Sequence, residues 1–163
     1  MIRKANEQDL PAIVGIYNQA IDARNCTGDT ERFNTETRKP WFEFHINDPK
    51  TPIFVYETGN EIIGYGYISS YRGGRQAFER VGEVSYYVDF NHHGKGIGEG
   101  LLEHLISEAR KLGYAHVLAI LLGCNHKSVA LLEKKGFSLW GNMPDIARID
   151  GNFYSHLYYG LSY

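Results

Sequence analysis

The residues His93-Gly94-Lys95-Gly96-Ile97-Gly98 have types and spacing suited to holding a phosphate. A glycine-rich turn that passes from a strand into a helix aims unpaired backbone N–H groups at an anion, and the helix dipole adds to their pull. Two common phosphate loops do not fit this spacing. A P-loop needs Lys followed by Ser or Thr, whereas Lys95 is followed by Gly96. The dinucleotide pattern G-x-G-x-x-G fails from Gly94, where its last position is Glu99, and from Gly96, where it is Leu101. What is left is x-x-Gly96-x-Gly98, with a ligand-free β-to-α turn as the plain alternative. A second polar run, Asn125-His126-Lys127-Ser128, stands before another short helical pattern, where Asn125 could act as a cap and Gly136 as a stop.

These residues need elements to place them. Val81 to Phe90 reads as a strand, and Leu101, Leu102, Leu105, Ile106, Ala109 and Leu112 recur at helical spacing up to Gly113. Upstream, Ile2 to Ala5 reads as a strand, and Asp9 as the cap of a helix carrying Ile13, Ile16, Tyr17, Ala20 and Ile21. Asn25 to Asn34 is a loop, and Thr35 caps a second helix that ends at Asp48-Pro49. Gly59-Asn60 joins Ile53–Thr58 to Glu61–Ser70 as a hairpin. Tyr71 to Arg75 is loop, Val117 to Leu122 a buried strand, and Asn125 to Lys135 a helix. Phe137 to Gly141 and Phe153 to Leu161 are strands separated by a loop through Pro144 and Gly151. The expectation is one mixed α/β domain over residues 1–163.

Composition excludes several classes of partner. The formal net charge is −2, so no basic field announces nucleic acid, and no apolar run is long enough for a membrane span. Cys26 and Cys124 are too few and too far apart for a zinc site or a disulfide framework, so no metal is expected. No charged-then-apolar leader is seen, which suggests a cytoplasmic protein.

The glycine loop resembles the pyrophosphate loop of the GNAT acetyltransferase superfamily, [RQ]-x-x-G-x-[GA], with His93 at the Arg/Gln position. Asn125, Ser128, Leu131, Glu133, Gly136 and Phe137 resemble that superfamily's N-x-x-S-x-x-L-x-[EK]-x-x-G-F pattern, in which the Asn and Ser contact the pantetheine and phosphate part of coenzyme A. The N-terminal half, with Arg3-Lys4-Ala5, Asp9, Ile16-Tyr17-Asn18, Arg38, Trp41-Phe42, His45 and Pro52, resembles the phosphinothricin and methionine sulfoximine acetyltransferase branch. Val81 to Val88 does so too. The resemblance implies a GNAT fold, a mixed, mostly antiparallel sheet flanked by helices with a splayed strand pair at the acetyl-CoA site. It also implies acetyl-CoA as cosubstrate, a small-molecule amine as acceptor, direct transfer in a ternary complex, and a homodimer.

Acetyl transfer to an amine needs a proton acceptor, a polarised thioester carbonyl and close contact between the two substrates. Strand alternation puts Glu83, Ser85 and Tyr87 on one face and Val84, Tyr86 and Val88 on the other. Glu83 matches the glutamate to which the branch's base role is credited; a solvated or arginine-paired carboxylate is the alternative. The resemblance places the backbone oxyanion donor within Tyr87 to Phe90, with no single residue chosen, and assigns Tyr87, Val88, His93, Gly94, Lys95, Gly96, Ile97, Gly98, Asn125 and Ser128 to the coenzyme. Glu99 is expected to point away from the phosphate. Arg72 or Arg75 is the candidate clamp for an acceptor carboxylate, with Tyr17, Phe33 and Trp41 as pocket walls or core.

Two departures from the family pattern stand out. Leu132 occupies the place of a general-acid tyrosine. Tyr154 stands where part of the branch has a histidine that partners the glutamate, so Tyr154 joins Glu83 as a candidate catalytic residue, while His156 is expected to face differently. Other readings are acetylation of a protein N-terminus, a lysine or a polyamine, or a non-catalytic acyl-CoA-binding module. The basic loop before Glu83 argues against the first group, and Glu83 itself against the module.

Overall fold

The computed structural model describes residues 1–163. In chain order the elements are β1 (Ile2–Lys4), α1 (Leu10–Asp22), α2 (Thr35–Asn47), β2 (Ile53–Thr58), β3 (Glu61–Ser70), β4 (Val81–Val88), α3 (Ile97–Lys111), β5 (His116–Leu122), α4 (His126–Lys134), β6 (Ser138–Ile149) and β7 (Asn152–Ser162). Seven strands form one sheet in the order β1-β2-β3-β4-β5-β7-β6. All neighbours run antiparallel except β4 and β5, which are parallel because α3 carries the chain back across the sheet.

Each face of the sheet buries its own helices. Ile13, Ile16 and Tyr17 of α1 and Phe42 of α2 pack on Val55 and Tyr65. On the other face Leu102, Leu105 and Ala109 of α3 and Leu132 of α4 pack on Val117 and Ala119. The apolar spacing that marks α1 and α3 in the sequence is thus the contact surface of each helix. Gly66 lets α3 lie close on β3, because a Cβ there would stand 2.7 Å from a Leu105 methyl. Gly59 and Asn60 both have positive φ, 55° and 68°, as a tight two-residue hairpin requires.

Three local features differ from the sequence reading. Asp9 stands at the N-cap of α1 but makes no side-chain cap to it; it completes a capping box with Asn6 around a 3-10 turn over Glu7–Asp9, its carboxylate accepting from Asn6 N. The same carboxylate accepts from both terminal nitrogens of Arg3, which ties β1 to α1. The second helix is capped by Asn34, whose side chain accepts from Thr37 N, with Thr35 as the first helical residue. Pro144 lies inside β6 rather than in a loop. β6 is an edge strand whose register shifts between Met143 and Ala147, and Pro, lacking an N–H, is tolerated at such a bulge.

Candidate active site

Strands β4 and β5 pair only from Val81 to Glu83, against His116 to Leu118, and then diverge. Beyond Glu83 the exposed edge of β4 therefore has no neighbouring strand. Tyr71 N donates to Val81 O and Asp89 N to Ile63 O, so the odd-numbered β4 residues carry the ladder to β3. The backbone of Val84, Tyr86 and Val88 faces the gap. Within the expected stretch from Tyr87 to Phe90, Val88 turns its N–H toward the opening, whereas Tyr87 spends its N–H on β3, Asp89 on Ile63 O and Phe90 on Gln19 Oε1.

A narrow cavity of about 50 Å³ runs through this gap. Ser85, Tyr87 and Cys26 line it from the α1/α2 face, and Val84, Tyr86, Asn125, Ser128 and Leu132 from the α3/α4 face. Two molecules on opposite faces of the sheet could meet here. The larger hollow, about 570 Å³ beside α1 and the β2–β3 turn, is lined by Arg3, Asp9 and Glu57, which are already paired with one another.

The glycine loop opens on the α3/α4 side. Gly94 and Gly96 adopt φ of 75° and 78°, the left-handed region that suits glycine. From Gly94 through Glu99 no backbone N–H meets an acceptor within the chain, which leaves a continuous run of donors at the α3 N-terminus. That arrangement fits a pyrophosphate. His93 does not point into the loop: its Nε2 lies 3.0 Å from Val88 O and its ring 4.5 Å from that of Phe90. The Lys95 ammonium rests on Asn91 O at 3.2 Å, an exposed bond easily exchanged for an anion. Glu99 turns toward α4, and hydrogen bonds from Lys134 and Lys135 hold its carboxyl down to about 2. This pairing removes its charge from the anion's approach and fastens α3 to α4.

Asn125 Oδ1 accepts from Ser128 N at 3.3 Å, so it caps α4 while lining the gap with Ser128. Asn125→Asp keeps that cap but loses the amide donor, whereas Asn125→Ala loses both. If the amide meets the coenzyme, both variants should raise the KM for acetyl-CoA about 2- to 12-fold, the equivalent of one polar contact of roughly 0.5–1.5 kcal/mol. A change confined to Asn125→Ala would leave Asn125 as a cap.

On the α1/α2 face Glu83 is half-buried, and burial pushes its pKa up. No cation pairs with it. Arg72 and Arg75 stand exposed on the β3–β4 loop, at the end of β4 where Glu83 lies. Tyr17 and Phe33 form a wall with Tyr87: Tyr17 meets the Phe33 ring at 5.9 Å and the Tyr87 ring edge-on at 5.0 Å. Asn18 fixes Phe33 there through two bonds to its backbone. Tyr154 is not brought to Glu83. Glu83 is level with Leu118 and hence with Gly160, so Tyr154 lies six residues away along β7, roughly 20 Å at strand spacing. His156, one residue beyond Ser155 on β7, faces away from Ser155 by strand alternation and lies on the same face as Tyr154.

Arg38 was legible only as one letter of a resemblance. Its guanidinium sits 3.8 Å above the Trp41 ring and 4.7 and 4.9 Å from those of Tyr17 and Phe33. An isolated helical arginine looks solvated in sequence; only the packing of α1 and α2 reveals the aromatic enclosure.

Comparisons with known proteins agree with this geometry. Residues 16–137 match the acetyltransferase (GNAT) family. The chain is 38% identical over 153 residues to YwnH of Bacillus subtilis strain 168, provisionally named a phosphinothricin acetyltransferase, covering 94% of this chain and 93% of that one. It is 32% identical over 145 residues to an L-methionine sulfoximine/L-methionine sulfone acetyltransferase of Salmonella typhimurium, covering 89% and 84%. Its fold superposes with a TM-score of 0.93 on a phosphinothricin acetyltransferase from Sinorhizobium meliloti in complex with acetyl-CoA, at 26% identity over 99% of this chain and 87% of that one. With the parted strands, the donor loop and the family match all in the same place, this chain belongs to the acetyltransferase (GNAT) family.

Proposed function

We propose that the protein transfers the acetyl group of acetyl-CoA directly to the primary amine of a small amino-acid-like acceptor of the phosphinothricin or methionine sulfoximine type. The cavity through the β4–β5 gap carries this reading, since it joins a face with a phosphate-binding loop to a face with an unpaired, half-buried carboxylate. The pyrophosphate rests on the N–H groups from Gly94 to Glu99, and Asn125 and Ser128 flank the chain that leads to the thioester. The acceptor enters from the α1/α2 face past the basic Arg72–Arg75 loop, which attracts a carboxylate-bearing molecule. Glu83 takes the ammonium proton, directly or through one water, and the free amine attacks the carbonyl carbon. Charge that develops on the carbonyl oxygen is met by the Val88 N–H. The C–S bond breaks, the thiolate leaves on the α4 side, and it takes up the proton that the newly acylated nitrogen gives up, so that amide and free thiol are the products. Acetyl-CoA is an intracellular metabolite, which supports a cytoplasmic setting for the reaction.

Thiol release from acetyl-CoA against amino acids, their analogues, polyamines and peptides tests the reading. Turnover with amino acids or their analogues is expected; turnover confined to polyamines or peptides would overturn the acceptor class.

We also propose a homodimer, supported by the free edge of β6 and by Leu139, Trp140, Met143, Ile146 and Phe153, large apolar side chains at least 44% exposed on the β6–β7 hairpin. Sedimentation should give twice the mass of the chain, and Leu139→Glu should shift it toward the monomer. A monomeric native protein at micromolar concentration would remove the dimer.

A further inference from the structure

Arg38 is a caged cation with no anion. It takes part in none of the protein's ion pairs, and its Nε is buried without a hydrogen-bond partner. Arg3, also half-buried, is held by Asp9 and Glu57, whereas Arg38 alone among the arginines has a buried nitrogen without a partner. The rings of Trp41, Tyr17 and Phe33 stabilise the guanidinium through their faces, yet a ring face cannot satisfy its in-plane N–H donors. The covered Nε is a standing cost, while the terminal Nη1 and Nη2 donors, unpartnered within the chain and not enclosed, can meet a planar oxyanion with two parallel bonds.

The cage stands over the acceptor side of the gap. Trp41 packs edge-on against Tyr67 at 5.1 Å, and Tyr67 lies opposite Ser85 on β4. Tyr17, on the other side of the guanidinium, packs against Tyr87. Arg38 therefore belongs to the same sheet face as Glu83, above the stretch of β4 where the gap opens. Asp29 is the nearby loop carboxylate, and it is engaged by the Tyr17 hydroxyl rather than by Arg38. A molecule with its amine at the gap would present the rest of itself to this wall.

We infer that Arg38 is the oxyanion receptor of the acceptor pocket: a carboxylate or other planar oxyanion of the acceptor docks on its terminal Nη1 and Nη2 donors, beside the Trp41–Tyr17–Phe33 cage that holds the guanidinium. Arg72 and Arg75 then act at the exposed rim and Arg38 at the seat. The inference rests on the acetyl-transfer reading above, and it selects among amines those that carry an oxyanion.

Trp41 reports on the seat. With Trp140→Phe as background, Trp41 is the remaining tryptophan. Its fluorescence is followed while L-methionine, L-methioninamide, L-glutamate and L-glutamine are titrated in the presence of coenzyme A. Saturable binding of at least one carboxylate-bearing probe is expected, weakened about 30-fold or more by Arg38→Gln, with much less effect on a probe lacking the recognised group. A preference for methionine over methioninamide that is lost in Arg38→Gln assigns the seat to the α-carboxylate. A preference for glutamate over glutamine, lost in the same way, assigns it to a side-chain oxyanion. Arg38→Lys should restore part of the preference, and acetyl-CoA affinity and the melting temperature serve as checks of folding. If Arg38→Gln binds all probes as the parent does, or loses them all equally while folded, the inference is overturned. If the native protein releases no thiol with any amine, the acetyl-transfer reading falls independently. An enzyme that turns over amino acids with an unchanged carboxylate preference in Arg38→Gln sinks this inference alone.

Discussion

Glu83→Gln is expected to lower the acetylation rate by roughly 10²–10⁴-fold at neutral pH while leaving acetyl-CoA affinity intact. The side chain keeps its shape but can no longer accept a proton from an ammonium group. The deficit should shrink as pH rises toward the pKa of the acceptor amine, because free amine then becomes available without a base. A residue that only orients the acceptor would show a loss that persists at high pH. In the native enzyme the acid limb of the rate profile should lie above the usual carboxylate range, since burial raises the Glu83 pKa. The stability effect has the opposite sign to the rate effect. A carboxyl whose pKa is raised by folding favours the folded state in its protonated form. That contribution is present below the unfolded carboxyl's pKa and is lost as pH rises through the folded value. At neutral pH the ionised group opposes folding, so Glu83→Gln should melt at the same temperature or higher. Near-native turnover of this variant at neutral pH would remove Glu83 from the base role.

Gly96→Asp should weaken acetyl-CoA binding by about 10- to 100-fold, the equivalent of one charge-assisted hydrogen bond of roughly 1.5–3 kcal/mol. Space is not the obstacle, because a Cβ at Gly96 would meet no atom within 4 Å. The obstacle is a carboxylate among N–H donors that await a phosphate, on backbone at φ 78°. Gly96→Asn shares the size and the tolerance of that conformation but lacks the charge. Calorimetry should therefore find Asn close to the native affinity and Asp far below it. Equal affinities for Asp and native protein would place the pyrophosphate elsewhere.

Much of this molecule is readable along the chain because its signals are local. Helices α1 and α3 bury one stripe each, so their spacing reports their burial. The Gly59-Asn60 turn requires left-handed backbone, and the sequence carries residues that adopt it. The loop from Gly94 to Gly98 needs glycines for the same reason, so its place between strand and helix was visible before any fold was known. Boundaries set by competition between neighbours were harder to read. Asn6 and Asp9 can each cap a helix, and in the fold they share one capping box while Arg3, brought from β1, holds both oxygens of Asp9 away from α1. Pro144 looks like a loop residue unless one knows that its strand lies at the sheet edge.

The sequence by itself determined the order of elements, the face on which Glu83 lies and the anion-binding turn, because each depends on residues close together in the chain. Tertiary structure alone decided which backbone N–H faces the gap, since that follows from the β3–β4 register and from where β5 departs. It also set Tyr154 apart from Glu83, because separation along β7 depends on a pairing of distant strands. Arg38 belongs to the same class. Its cage takes Tyr17 from α1, Phe33 from the loop and Trp41 from α2, and only the packing of α1 against α2 closes those rings around an unpaired cation.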